Sequence, residues 1–184
     1  SGTYGSTLAL STSGGSSSGV VSYVVGSGSC SVSGSTLSNT AAGDCYVTAT
    51  MAGGSNYNDV SSSSTKITIA PKSITITAAN KSATYSGAAV SVTNSVSVTS
   101  GTLVGTDAIN TSSGTYNYTG ISPTSYSQST TAPTAVGSYT IAPSAISFTS
   151  GSASNYTITY ANGTLTVGLA SSSITATGST SFTY

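Results

Sequence analysis

Three side chains in this sequence could make a covalent bond with no cofactor. Lys72 carries an amine, Asn162 a carboxamide, and Asp107 is the one acid between them. Held together away from water, the neutral Lys72 amine would attack the Asn162 carboxamide carbon. An amide forms, ammonia leaves, and the Asp107 carboxyl group relays the proton. Loss of one ammonia from the intact mass is the signature of that crosslink. Set against it, Asn162 precedes Gly163, and Asn-Gly is first of all a type I′ hairpin turn.

The second pair with reactive side chains is Cys30 and Cys45, the only cysteines. They bracket a short Ser/Thr-rich segment and no His stands near them, so a metal site or redox relay lacks its further ligands. The reading is a structural disulfide, with two separate thiols as the alternative. Closing a loop of this size stabilises a fold by about 3 kcal/mol in the chain-entropy model.

Catalysis finds no other footing. The chain has no His, and its Asp residues, Asp44, Asp59 and Asp107, are far apart in sequence. No serine therefore has a visible base, and no two carboxylates pair for acid–base work. The Gly-rich stretch SGGSSSG at 13–19 lacks the Lys-Ser/Thr and the helix of a phosphate loop. No catalytic residue, cofactor or metal is assigned, and the chain is expected not to be an enzyme.

Charge narrows the partners. Only 3% of residues are charged and the formal net charge is zero, so no basic patch steers the chain to nucleic acid. Three scattered Asp do not make an oxygen cage for a hard cation. No apolar run approaches the ~18 residues of a membrane span. Five Asn-X-Ser/Thr sequons, at Asn80, Asn110, Asn117, Asn155 and Asn162, arise from composition alone in so Ser/Thr-rich a chain.

Tyrosine is the dominant aromatic, 12 against 2 Phe and no Trp. Its ring fills thin cores and its hydroxyl finds a backbone partner. Tyr57 and Tyr156 end matching segments, GSNY and ASNY, and are expected in the core. Tyr116 and Tyr118 of GTYNYTG divide between core packing and stacking on a sugar ring.

The elements that must position these residues are strands. Alternation of β-branched and small polar residues runs through TKITIAP, SITITA, VSVTNSVSV, YTITY and TLTV, with Gly, Pro and Asn punctuating short runs. This is the pattern of an all-β fold of antiparallel sandwiches. The chain also repeats itself: besides the SNY segments, AAGDCYVTA at 41–49 parallels AVGSYTIAP at 135–143. Residues 171–184 align in turn with 72–85, so ITATGSTSFTY echoes ITITAANKSATY. The expected organisation is two tandem Ig-like β-sandwiches: 1–70 without its first strand, 71–168 complete, and 169–184 as the first strand of a following unit. Such a chain reads as one out-of-phase period of a longer array, with that last strand continued in the same polypeptide or donated to a neighbour.

The stretches GSCSVSGSTLSNTAAGDCYVTATMAGGSNYN and KITIAPKSITITA resemble bacterial Ig-like repeats of large secreted surface proteins. The second half, through ITITAANKSATYSG, VGSYTI and SNYTITYANGTLTV, resembles the MBG/YDG-type repeat. The resemblance spans nearly the whole chain and implies an extracellular, cell-surface stalk or filament. The partners it implies are adjacent repeats or other copies of the same chain. Glycan or glycoprotein binding through loop tyrosines is the alternative. Near-absence of acidic residues speaks against calcium-stiffened linkers.

Overall fold

A computed structural model describes residues 1–178. It is all-β, with a single 3-10 turn and no α-helix among those residues. The first eight strands are β1 (Gly2–Thr3), β2 (Leu8–Ala9), β3 (Val21–Ser27), β4 (Cys30–Ser33), β5 (Thr36–Asn39), β6 (Gly43–Met51), β7 (Val60–Ser61) and β8 (Thr65–Ala70). Nine more follow: β9 (Lys72–Ala78), β10 (Lys81–Thr84), β11 (Val96–Ser100), β12 (Ala108–Ile109), β13 (Thr115–Gly120), β14 (Gly137–Ser144), β15 (Phe148–Ser150), β16 (Tyr156–Ala161) and β17 (Gly163–Gly168). Every strand pairing among them joins β1–β8 with one another or β9–β17 with one another. The polypeptide thus forms two β units that meet at Pro71.

Alternation sets the core. In β8 only Ile67 and Ile69 are buried, in β9 Ile74, Ile76 and Ala78, and in β17 Gly163, Leu165 and Val167, while the threonines between them stay outside or at the margin. Each Ile, Leu or Val hidden this way contributes about 1.5–3 kcal/mol.

The duplication seen in sequence is a duplication of register. In the first unit β6 pairs antiparallel with β8, Gly43 opposite Ile69 and Cys45 opposite Ile67. In the second, β14 pairs with β17 in the same way, Gly137 opposite Val167 and Tyr139 opposite Leu165. Each pair carries a short parallel strand on its outer side. In one it is β1, with Thr3 opposite Ala70; in the other β10, with Thr84 opposite Gly168. The next residue in each case, Tyr4 or Tyr85, donates its N–H to the same carbonyl, Ala70 or Gly168.

Parallel pairing is the feature that alternation did not announce. β9 and β10 form one path that starts in the sheet β11-β9-β16 and crosses to β10-β17-β14-β13. β16 and β17 make the same crossing alongside, so the first and last strands of the unit run parallel through both sheets. The expected hairpin at Asn162-Gly163 is therefore not there: β16 and β17 do not pair, and neither residue has a left-handed φ. Gly163 serves another purpose. A Cβ on it would lie 2.5 Å from the Ala78 carbonyl oxygen and 2.8 Å from that of Ala79, so only glycine lets the two crossing backbones approach. Thr164 N–H, which lacks a ladder partner at the crossing, donates instead to Asn80 Oδ1 at 2.9 Å.

In the first unit β4 belongs to the sheet β2-β5-β4 and β6 to the sheet opposite. The Cys30–Cys45 disulfide joins them, Cα to Cα 6.2 Å, and so staples sheet to sheet. Reducing it, or substituting Cys45→Ser, is expected to cost about 3 kcal/mol. Calorimetry would then show the melting temperature of this unit falling by roughly 10–20 °C. No strand of residues 2–70 takes the place that β9 takes in the second unit. Residues 169–178 form no strand, and the rest of the segment expected to lead a following unit lies outside the described residues.

Candidate functional site

A polar cluster sits between the two units, around Asp107. A turn closed by Asp107 N–H to the Val104 carbonyl, 2.9 Å, sets the carboxylate just ahead of β12. Asp107 Oδ2 accepts two hydrogen bonds from tyrosine, at 2.6 Å from Tyr156 of the same unit and at 3.0 Å from Tyr4 of the other. Tyr156 hydroxyl in turn accepts the Val104 N–H at 2.8 Å. The two rings meet edge to face at 5.5 Å, and Phe148 stacks on Tyr156 from behind at 5.4 Å. Both tyrosines are only 6% exposed.

A second polar tie lies beside the first. Asn155, in the 3-10 turn before β16, is buried and accepts Ala42 N–H from the first unit at 3.0 Å. Asn39 holds the facing loop in shape by accepting Gly5 N–H and donating to the Ser6 carbonyl. Gly5 has φ +82°, and a Cβ there would collide with Val104 of the other unit. Two polar ties, an aromatic pair and one close backbone approach thus fix one unit on the other.

Burial, then the bond donated to Asp107, pushes the Tyr156 hydroxyl up to about 12. The same causes raise Tyr4. A tyrosine whose folded pKa lies above its ordinary value of about 10 adds stability while protonated, in full below that pH, and loses it as pH rises through the folded value. The junction is therefore expected to loosen between about pH 10 and pH 12. Melting curves across that range would show it, and Tyr156→Phe should flatten the dependence relative to the parent chain.

The remaining charges are also occupied. Lys66 pairs with Asp44 at 2.9 Å on the surface, and that bond holds the Asp44 carboxyl below the usual range. Asp59 accepts Gly53 N–H. Lys72 and Lys81 donate to the hydroxyls of Thr102 and Ser95. Among the described residues no three of His, Cys, Asp or Glu gather as a metal site, and no helix is long and apolar enough to cross a membrane.

The structure does not bring together the crosslink candidates. Tyr156 stands opposite Lys72 at one end of the parallel pair β9–β16, and Asn162 follows Ala161 at the other. At ~3.3 Å per residue, about 20 Å separates them. Asp107 serves the tyrosines. Nor does Tyr118 face a ligand: it is 3% exposed and its hydroxyl accepts a bond from Asn94. Tyr116 shares its face of β13, half-buried, with its hydroxyl on the Ser113 carbonyl. Period-2 geometry turns both rings to one side, and here that side is inward. Tyr57, expected in the core beside Tyr156, is instead 54% exposed. Asn155, one of the five sequon residues, is buried.

Composition and spacing gave no hint of Asn155 or Asn80 as fastenings. For Tyr4 the available signal was the Thr-Tyr pair shared by positions 3–4 and 84–85.

The family model of the MBG domain (YGX type) matches residues 74–166 of this chain. No curated protein and no solved structure matches it.

Proposed function

This chain belongs to the MBG domain family, YGX type, a repeat domain of bacterial surface proteins, and from that premise we propose that it is a building block of an extracellular stalk or filament. The observation that carries the reading is the junction at Asp107. A binding or catalytic module needs one good fold, whereas a stalk needs successive folds held at a set angle. Tyr4, Gly5 and Ala42 on one side and Val104, Asp107, Asn155 and Tyr156 on the other supply that. Stability in such an array is roughly a sum over units and nearest-neighbour contacts. A disulfide between sheets suits a site outside the cell.

In this reading the chain does no chemistry: each of its charged side chains has a hydrogen-bond partner, which leaves acid–base catalysis without support. Its partners are its own repeats. Recognition of glycans rested on Tyr116 and Tyr118, and inward-facing rings lend it no support.

NMR relaxation and small-angle scattering of the full chain test the reading. The expected result is one anisotropic tumbling time shared by residues 2–70 and 72–168, with a scattering profile fitted by a single fixed arrangement. Two units tumbling independently would overturn it.

A further inference from the structure

The inner face of the first unit is not fully covered. Two adjoining hollows of about 180 and 240 Å³ lie on it, the first against β3, β6 and β7 and the second against β3, β6 and β8, floored by Tyr23, Val47, Ala49, Met51 and Ile67 and rimmed by Leu10. In the second unit the matching face, over β14 and β17, is covered by β9. Ile74, Ile76 and Ala78 of β9 point into it at 4% exposure or less, and β11 pairs with β9 along its side. The first unit has the register of that floor but not the strand. It also leaves a place for one: residues 11–15 form one wall of these hollows, and their backbone makes no hydrogen bond among the described residues and is exposed.

A segment with the chemistry of β9 exists elsewhere in the chain. Lys72–Ala78 reads KSITITA, and residues 172–178 read SSITATG. The inward positions Ile74, Ile76 and Ala78 become Ile174, Ala176 and Gly178, the same order of sizes and slightly smaller. This segment pairs with no strand among the described residues, and Ile174 is 99% exposed.

We propose that residues 172–178 of one copy of this chain dock as a strand over β6 and β8 of a second copy, with Ile174 and Ala176 filling the hollows. The inference rests on the reading of the chain as a filament block and names its partner: a second copy, engaged head to tail. Because plug and socket lie on different units, the contact is heterologous and propagates instead of closing. The bonds along residues 11–15 supply affinity, and the alternating pockets supply register.

Sedimentation of the full chain over a concentration series tests this. The expected result is growth of dimers and longer species with concentration. Ile174→Asp changes only a solvent-facing residue of the free chain, and it should leave the protein monomeric. Ala49→Arg, which fills the socket, should do the same. An equimolar mixture of the two should form a dimer and grow no further, because one intact plug meets one intact socket. A peptide of residues 171–178 should compete with assembly of the parent chain, which decides the matter even where Ala49→Arg fails to fold. A parent chain that stays monomeric throughout, association that survives Ile174→Asp, or a peptide that does not compete would each overturn the docking. The fixed angle between units is read within one monomer, so it would stand or fall separately.

Discussion

Asp107→Ala is expected to cost about 3 kcal/mol and to free the two units from one another, whereas Asp107→Asn should cost about 1 kcal/mol and keep them aligned. Both tyrosine bonds end on one oxygen, Oδ2. Alanine leaves the Tyr4 and Tyr156 hydroxyls buried without an acceptor, and each such orphan costs roughly 1–3 kcal/mol. Asparagine can still offer a carbonyl oxygen there and forfeits only the charge assistance. Tyr4→Phe separates the two roles. It removes one of the two polar ties between units, keeps the Ala42–Asn155 bond, and leaves Tyr156 tied to Asp107 and Val104, so it should alter inter-unit motion more than melting. Calorimetry read beside NMR relaxation would check all three. Equal losses for Ala and Asn would show that the acceptor oxygen is not what matters.

Gly163→Val should be the most damaging single change in the second unit, at about 3 kcal/mol and a melting temperature lower by roughly 10–20 °C. A Cβ would meet two carbonyl oxygens, Ala78 O at 2.5 Å and Ala79 O at 2.8 Å. Backbone on both sides cannot yield without breaking the Asn80–Thr164 bond and the parallel ladders at each end of the crossing. Gly163→Ala carries the same Cβ and should lose most of that amount. Its neighbour gives the contrast. Asn162 is exposed, so Asn162→Ala should stay within about 0.5 kcal/mol of the parent. Were this dipeptide a tight hairpin turn, both positions would be sensitive, since both would need positive φ. Urea unfolding of the two variants distinguishes the cases.

Much of the fold was legible because it rests on alternation. Ile67 and Ile69, Ile74 and Ile76, Leu165 and Val167 are buried as their spacing requires, and the disulfide joins the two cysteines that composition singled out. What alternation does not carry is which side is inside and which strand is neighbour. Tyr116 and Tyr118 share a face in any strand, but only β14 and Asn94 make that face the core. The matching SNY segments diverge for a similar reason. After Tyr156, alternating Thr and Ile bind the chain to β9. After Tyr57 come Asn58 and Asp59, and β7 turns to β6 instead, leaving the ring in solvent. Asp107 was visible as the lone acid of its half. Its task depends on Tyr4, a residue 103 positions away, and no local pattern encodes a contact of that range.

The side-by-side course of the first and last strands has a mechanical meaning. Lys72 and Tyr156 start together at one end of the unit, and Thr84 and Gly168 finish together at the other. Tension drawn through the polypeptide pulls the entry strand and the exit strand past each other along their length. The cross-strand bonds are then loaded in shear, all at once, instead of being peeled apart singly. Wired this way, the unit is expected to resist extension more than its few large aliphatic side chains would suggest.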